Sequence, residues 1–320
     1  MSEVIISVVI PAYYRPDLLE KAIRSCMTQT LSTDNYEIIV VDSSSDDRNV
    51  KLVESLQPES KCSLTCLTKV PEGPGPSRNL GGQHARGRIL AFMDSDCQAY
   101  PGWLEAAVAA FDEKISLVQG RTVPEPGAPY SVFNRSFQIE KETIIYEALN
   151  IFYRRDVFLE HGGFAAEENP TAMSVLGGED VDLAWRVKRS GWESSFATDA
   201  VVTHIVERQS VWQWLYDKRM TVVPRIPKDF PETRQFFFAR YFYDDIQAYL
   251  ILAMAGASLS FLLPATLLAT IPYCLRRGSE PTKALPGPLR LLRIVVYLPR
   301  DLLTCIALLR GSLRYRTVLL

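Results

Sequence analysis

Several signals that often reveal a protein's chemistry are missing from this chain of 320 residues. Its six cysteines form no C-x-x-C pair, and with three histidines the chain has no Cys/His spacing typical of zinc sites. No G-x-G-x-x-G motif follows the first predicted strand and no P-loop lysine motif occurs, which weakens a dinucleotide or ATP site. No basic stretch alternates with aromatic residues, so we expect no nucleic-acid partner.

The first residues also lack the features of a secretory signal. Ser2 and Glu3 precede a strand-like run, with no basic region and no small-residue cleavage site, so we predict no signal peptide. Together with the unpaired cysteine pattern, this predicts free, mostly buried thiols in a reducing compartment.

Charge is unevenly distributed along the chain. The sequence has 35 Lys and Arg against 37 Asp and Glu, a formal net charge of −2. Residues 276–320 contain nine basic and two acidic residues, a balance of +7 that leaves about −9 on the preceding 275 residues. A basic, apolar end behind an acidic body is typical of proteins that contact anionic lipid. We therefore expect membrane lipid to be a partner.

The C-terminal third contains a long uncharged segment, residues 246–275, which exceeds the roughly 20 apolar residues that span a bilayer. Pro264 and Pro272 interrupt it, which favours a broken or re-entrant helix over a continuous span, with a buried pair of helices as the alternative. Residues 289–309 are apolar but carry charges, a pattern typical of an amphipathic helix at a membrane interface. We predict a helical, membrane-associating region over residues 216–320.

The first half of the chain alternates strand-like and helical patterns. Apolar runs at residues 4–11, 37–41, 64–67 and 89–93 are separated by segments in which apolar residues recur at helical spacing. This alternation predicts an α/β fold with a mostly parallel sheet flanked by helices on both faces.

Two carboxylates follow the last of these runs, in the sequence Asp94-Ser95-Asp96. Ligands bind beyond the carboxyl ends of strands in open parallel sheets, where two carboxylates can share a hard divalent cation. This pattern predicts a site for Mn²⁺ or Mg²⁺ that also holds a substrate's phosphates. The alternative is a simple polar turn.

A series of motifs in order then points to a known family. The chain resembles family-2 glycosyltransferases of the GT-A fold over about residues 4–215. The matching segments are VVIPAY at 8–13, IIVVD at 38–42, GPSRNLG at 75–81, FMDSD at 92–96, Asn150 with Arg154 and Arg155, GGF at 162–164 and GEDVDLAWR at 178–186.

The resemblance implies an enzyme that transfers a sugar from a nucleotide-diphosphate donor to an acceptor with inversion. By position, Asp42 would read the nucleobase, Arg78 would contact the base or diphosphate, Asp96 would hold the metal, and Asp94 would contact the ribose or a metal-bound water. Asp180 stands where the family keeps its general base, and Glu179 beside it would raise the pKa of one of the pair. The further donor contacts that the resemblance implies are Pro11, Tyr13 and Ser95.

Other positions carry two interpretations. His204 would complete the metal shell or simply form a hydrogen bond at a sheet edge. Trp185 and Arg186 would border the acceptor pocket or only pack their helix, and the resemblance also assigns Asn150 to acceptor binding. Glu179 and Asp180 could likewise only cap a helix, since acidic residues suit that end.

The sequence departs from the family's usual pattern at two places. Asp42 is followed by three serines, residues 43–45, where Asp-Gly-Ser is frequent, and Ala165-Ala166 replaces a frequent Asp-Glu after residue 164. We expect a catalytic domain over residues 1–215 that uses a nucleotide sugar, with a UDP-sugar favoured, and a glycan or lipid-linked acceptor. The expected location is the cytoplasmic membrane face. The alternative is an inactive GT-A scaffold that binds a nucleotide or a partner.

Overall fold

The computed structural model describes residues 3–127, 131–165, 178–279 and 290–320, without the side chains of residues 290 and 291. Contacts divide the chain into two compact units. The first comprises Met1–Ala128 with Ser136–Val206, and the second comprises Pro129–Arg135 with Glu207–Leu320. The division into domains predicted at residue 215 stays a prediction, and each unit is described by itself.

The first unit is built on an eight-stranded sheet in the order β3-β2-β1-β4-β8-β6-β9-β5. The strands β1 to β4 run parallel to one another, β8 is antiparallel to both of its neighbours, and β9 runs parallel to β6. The predicted mostly parallel α/β fold is therefore confirmed. The strands are β1 (Ile6–Ala12), β2 (Tyr36–Asp42), β3 (Ser63–Thr68), β4 (Ile89–Met93), β5 (Cys97–Ala99), β6 (Ile115–Pro124), β7 (Asn134–Arg135, second unit), β8 (Asn150–Arg154), β9 (Glu193–His204) and β10 (Glu207–Arg208, second unit).

Helices cover this sheet because its central strands are apolar on both faces. Every residue of β2 and β4 is buried, so both faces must be shielded from water. The helix α3 approaches β1 closely through Gly81, where a Cβ atom would lie 2.4 Å from the side chain of Val9. The helices of this unit are α1 (Pro16–Met27), α2 (Arg48–Leu56), α3 (Pro74–His84), α4 (Trp103–Ala109), α5 (Arg155–Glu160) and α6 (Glu179–Arg189).

Strand register places the polar residues at one edge of the sheet. Ala12 pairs with Asp42 across β1 and β2, and Val9 pairs with Phe92 across β1 and β4. Asp42 and Asp94 therefore reach the same carboxyl edge. The antiparallel pair of β5 and β9 sets Cys97 opposite His204, which brings this histidine beside Asp96.

The second unit is helical. Its strands β7 and β10 pair with each other, and its helices are α7 (Val211–Leu215), α8 (Arg225–Asp229), α9 (Asp245–Leu259), α10 (Ile271–Ser279) and α11 (Arg290–Tyr315). The uncharged segment is divided among α9, a 3₁₀ helix over Pro264–Thr270, and α10. Proline at 264 begins the 3₁₀ helix, as its missing N–H allows. In the parts of the chain described above, no helix is both long and apolar enough to cross a bilayer.

The helix α3 begins at Pro74, because proline is tolerated in the first turn of a helix. Residues 166–177, the segment with the unusual start at Ala166, lie outside the described residues. The six cysteines are free, and Cys26, Cys62, Cys97 and Cys305 are buried, as predicted.

Candidate active site

A cavity of about 650 Å³ opens at the carboxyl edge of the first unit's sheet. The end of β1 forms one wall, the start of α3 another, and the turn after β4 the floor. The predicted donor residues Pro11, Tyr13, Arg78, Asp94, Ser95 and the predicted metal ligand Asp96 all line it. Sequence order and parallel strands thus bring these six positions together.

Arg78 is the buried charge at the centre of this site. Its side chain is 5% exposed, and Nη2 donates a hydrogen bond to Asp94 Oδ1 at 2.6 Å. Its Nη1 lies 3.8 Å from both Glu179 Oε1 and Asp180 Oδ1. Burial lowers the pKa of Arg78, but the charges of Asp94, Asp180 and Glu179 outweigh burial and raise it above the ordinary value. Arg78 therefore stays charged and connects the turn after β4 to the start of α6.

Asp180 is a carboxylate whose proton affinity suits a base near neutral pH. Its Oδ2 accepts a hydrogen bond from the backbone N–H of Ala148 at 3.1 Å, and its Oδ1 accepts none from the described residues. Burial raises the pKa of Asp180 to about 7, with Arg78 opposing the shift and Glu179 adding to it. A base with a pKa near the working pH is the most effective at proton transfer.

Asp96 lines the cavity and faces His204. His204 Nε2 lies 3.8 Å from Asp96 Oδ1, and the imidazole is buried. The Nδ1–H of His204 donates to the carbonyl of Ile205 at 2.6 Å. This hydrogen bond holds the ring with Nε2 toward Asp96, as metal-binding histidines are commonly held. The pair therefore fits a divalent cation.

Asp94 contributes less to such a cation site, because its Oδ1 is engaged by Arg78. Within the described parts of the chain, no three His, Cys, Asp or Glu side chains form a ready set of metal ligands. A hard cation here would thus need oxygen atoms from water or a phosphate-bearing substrate, which is how Mg²⁺ is usually held.

The position predicted to read the nucleobase is rigidly held. Asp42 is buried, and its Oδ1 accepts hydrogen bonds from the backbone N–H and hydroxyl of Ser44 and from Asn49 Nδ2 at 3.1, 2.7 and 2.9 Å. The neighbouring Ser43 lines the cavity. One oxygen of Asp42 is thereby saturated, and the carboxylate is fixed at the edge of the pocket.

Two of the sequence motifs form one structural element. The amide of Asn79 donates from Nδ2 to the carbonyl of Phe164 at 2.7 Å, and its Oδ1 accepts from the N–H of Phe164 at 2.9 Å. Gly163 adopts a left-handed φ of 68°, so glycine is favoured at this bend. The Phe164 ring then lies 5.4 Å below the Arg78 guanidinium. The RN and GGF motifs therefore act together to hold Arg78.

Comparison with known proteins agrees with this geometry. The family model described as glycosyl transferase family 2 matches residues 7–168. The chain belongs to glycosyl transferase family 2. It is an enzyme family, and the GT-A prediction is confirmed.

Two curated glycosyltransferases are similar to this chain over part of their length. Glycosyltransferase AglE of Haloferax volcanii is 27% identical over 208 residues, which are 62% of this chain and 66% of AglE. The poly(ribitol-phosphate) beta-N-acetylglucosaminyltransferase TarS of Staphylococcus aureus is 29% identical over 133 residues, 41% of this chain and 23% of TarS. The chain therefore matches just under two thirds of one curated relative and less than a quarter of the other.

Two solved structures share the fold. The mannosyltransferase PcManGT from Pyrobaculum calidifontis, in complex with GDP-Man and Mn²⁺, superposes with a TM-score of 0.59 at 19% identity, covering 97% of this chain and 86% of that one. TarS 1–349 in complex with UDP-GlcNAc gives a TM-score of 0.50 at 18% identity, covering 98% and 92%. At these identities, the likeness establishes the fold.

Three residues predicted to bind the acceptor also make contacts within the protein. Asn150 is buried in β8, where it accepts from Trp103 Nε1 and donates to the carbonyls of Arg121 and Ala200. Its amide thus ties three parts of the sheet together and is not brought to the pocket.

The two acceptor candidates on α6 also make internal contacts. Trp185 is 7% exposed and donates from Nε1 to the carbonyl of Ile144. Arg186 pairs with Asp182 and donates to the carbonyls of His161 and Gly163. Both side chains thus help to pack α6 and the GGF bend, and their role at the acceptor stays a prediction.

Several residues at the donor end of the site were not predicted from the sequence. Arg15 lines the cavity, and Ser44 and Asn49 hold Asp42. The replacement of the frequent Asp-Gly-Ser by three serines was visible in the sequence and could have pointed to Ser44. Nothing in the sequence pattern pointed to Arg15.

Proposed function

We propose that this glycosyltransferase moves a sugar, with inversion, from a nucleotide-diphosphate donor to a hydroxyl of a glycan or lipid-linked acceptor. The favoured donor is a UDP-sugar. The observation that carries the proposal is the cluster of Arg78 with Asp94 and Asp180, which joins a nucleotide-type pocket to a carboxylate whose pKa is about 7.

Two side chains of the protein, Asp180 and Arg78, have roles in the displacement. Asp180 accepts the proton of the attacking hydroxyl as the new bond to the anomeric carbon forms. The bond to the donor's phosphate oxygen breaks, and the electron pair leaves with the diphosphate. Arg78 holds Asp94 and faces Asp180, so it fixes the distance between the donor pocket and the base. Correct placement of the reacting groups lowers the barrier by removing the entropy of encounter.

Metal dependence is supported by the Asp96 and His204 pair. Asp96 and His204 Nε2 would hold Mn²⁺ or Mg²⁺, with Asp94 contributing through its second oxygen or through water. When bound, the ion supplies neutralisation of the charge that develops on the leaving diphosphate. Among the similar structures, PcManGT is in complex with GDP-Man and Mn²⁺, and TarS 1–349 is in complex with UDP-GlcNAc.

The test is a screen of nucleotide sugars by thermal shift, followed by a turnover assay with and without Mn²⁺. A specific donor stabilises the folded chain by mass action. Asp96→Ala should abolish the metal dependence of donor binding while the chain stays folded, and the exposed Asp199→Ala serves as the matched control. Unchanged metal dependence in Asp96→Ala would refute the metal assignment, and turnover of no nucleotide sugar would refute the function.

Membrane attachment is a separate proposal. We propose that the second unit lies on the anionic cytoplasmic face of the membrane, because nucleotide sugars are cytosolic. Its exposed apolar side chains include Phe261, Leu262, Leu263, Leu268, Leu275, Val295 and Leu313. Exposed Arg310, Arg314 and Arg316 suit anionic headgroups, each adding about 1 kcal/mol.

Extraction separates this proposal from its alternatives. Detergent should release the full chain from membranes, and high salt alone should not, because apolar contacts are not screened. Release by salt alone would mean that the apolar side chains are covered by protein. A detergent-sensitive dimer without lipid binding would assign the same surface to a second copy of the chain.

A further inference from the structure

The turn between β1 and α1 contains two adjacent residues in the left-handed region. Tyr14 has a φ of 52°, and Arg15 has a φ of 60° with a ψ of 53°. Residues with a Cβ atom adopt this region at a cost in free energy, and glycine is the usual choice. Such backbone conformations persist where the surroundings enforce them, and they cluster at functional sites.

Side chains from the loop after β2 and from the first turn of α2 enforce this turn. The N–H of Tyr14 donates to Ser44 Oγ at 2.7 Å, and its carbonyl accepts from Asn49 Nδ2 at 3.3 Å. The hydroxyl groups of Tyr14 and Ser45 lie 2.5 Å apart. Ser44 in turn donates to Asp42. The residues that fix the nucleobase position therefore also fix the turn that carries Arg15.

The turn directs the Arg15 side chain to the donor cavity. Arg15 lines the cavity together with Arg78 and Asp94, and its side chain is 53% exposed. Its Nη1 forms an ion pair with Asp96, 4.0 Å from Oδ2. A diphosphate held near Asp96 would therefore lie within reach of the Arg15 guanidinium.

The two arginines of the cavity have different surroundings. Arg78 is buried among Asp94, Glu179 and Asp180, so its charge is largely balanced within the protein. Arg15 is half exposed at the cavity wall, where its charge can meet a ligand from solvent. A planar guanidinium can donate two parallel N–H bonds to phosphate oxygens.

We propose that Arg15 binds the diphosphate of the donor and stays on the nucleoside diphosphate as it leaves. This inference rests on the proposed transferase function. In the displacement, the electron pair of the broken glycosidic bond moves to a phosphate oxygen. Arg15 stabilises that added charge, and the strained turn is what holds it in reach.

Calorimetric binding of uridine and guanosine nucleotides to the full chain, with Mn²⁺ present, tests the contact. Arg15→Ala should weaken nucleoside diphosphate binding by about tenfold or more, the scale of a charge-assisted contact. Monophosphate binding should change by less than about threefold, because the terminal phosphate is the group contacted. Lys21→Ala is the matched control, because Lys21 is an exposed cation on α1, the helix that follows the turn.

A second variant separates binding from structural support. Arg15→Gly removes the same guanidinium but adopts the left-handed turn without strain, so it should melt at or above the wild-type temperature. It should nevertheless lose diphosphate affinity as Arg15→Ala does. In both variants, kcat should fall along with donor affinity.

Three results would overturn the proposal. If diphosphate affinity stays at the wild-type value in both variants while the wild type transfers sugar, the proposed function stands and Arg15 has no donor contact. An equal loss of mono- and diphosphate binding with lower melting temperatures would make the turn structural. Tighter Mn²⁺ binding alone would make Arg15 a competitor of the cation. A wild-type chain that binds no nucleotide would instead refute the proposed function itself.

Discussion

The two units of this chain distribute charge and apolar surface in opposite ways. In the first unit, apolar strands fill the interior and charged groups gather around a cavity. In the second, Arg277 and Asp301 are buried against each other with Tyr273, while Phe261 and Leu262 are 94% and 85% exposed. Buried charge needs a partner, and exposed apolar surface needs a cover.

The buried charged side chains have different roles in the two units. Arg78 is buried beside three carboxylates of the candidate active site, and its charge opposes the rise in the pKa of Asp180. The Arg277 and Asp301 pair lies among helices α10 and α11, so it holds the second unit together. We therefore expect the second unit to function through its exposed apolar side chains, such as Phe261 and Leu262.

The base of the first unit is the most sensitive position. Asp180→Asn keeps the shape of the side chain but cannot accept a proton, so turnover should fall by about 10² or more. Donor affinity should stay nearly constant. Steady-state kinetics with the donor found in the screen measures both, with Asp199→Asn as control. Normal turnover at saturation with a large loss of donor binding would make Asp180 a donor ligand.

The buried pair of the second unit should control stability instead of turnover. Asp301→Asn leaves the Arg277 charge buried without its carboxylate, which should cost about 3–5 kcal/mol of unfolding free energy. Urea unfolding of the full chain, followed by tryptophan fluorescence, measures the loss, since Trp212 and Trp214 lie in this unit.

A matched variant in the same unit sets the scale. Asp245→Asn breaks a partly exposed pair with Arg276 and should cost less than about 1 kcal/mol. The double change Arg277→Met with Asp301→Leu should recover most of the stability, because it removes both charges. A double variant as unstable as Asp301→Asn would show that the pair also fixes packing.

The exposed apolar surface should matter only where lipid is present. Phe261→Ser and Leu262→Ser should each weaken binding to anionic vesicles by about tenfold, because each removes an apolar side chain from the proposed contact. Vesicle co-sedimentation measures this. The control is Val70→Ser, which changes a 68% exposed apolar residue of the first unit. Equal effects at Val70 and Phe261 would remove the distinction between the two surfaces.

Much of the first unit was predictable because its signals are local or follow from topology. Asp42, Arg78, Asp94 and Asp96 follow or precede clear strands, and parallel strands bring such positions to one edge. The sequence did not reveal that β8 would enter the sheet antiparallel and bury Asn150. Nor did it reveal the left-handed turn at Tyr14 and Arg15, because that conformation depends on hydrogen bonds between Tyr14 and the side chains of Ser44 and Asn49, 30 and 35 residues away.

The second unit was less predictable for a physical reason. The uncharged run 246–275 has the composition of a membrane span, yet α9 ends at Leu259 and a 3₁₀ helix follows from Pro264. Hydropathy reports the apolar content but not where the chain folds back. Gly256 allows this return, since a Cβ there would lie 2.4 Å from the carbonyl oxygen of Thr266.

The smallest expected effect concerns the pH dependence of the first unit. Burial and Glu179 raise the pKa of Asp180 to about 7, and the base must be deprotonated to act. The turnover number should therefore rise with pH through about 7 and then level off. Glu179→Gln removes one negative charge, so the charged form of Asp180 becomes easier to form, and the acid limb should move to lower pH by about one unit or less. Measuring kcat from pH 5 to about 9 with saturating donor tests the shift. Asp182→Asn is the control, because its carboxylate pairs with Arg186 on the same helix. A limb that moves to higher pH would contradict the electrostatic role of Glu179, and an unchanged limb in Glu179→Gln would mean that a group other than Asp180 sets the pH dependence.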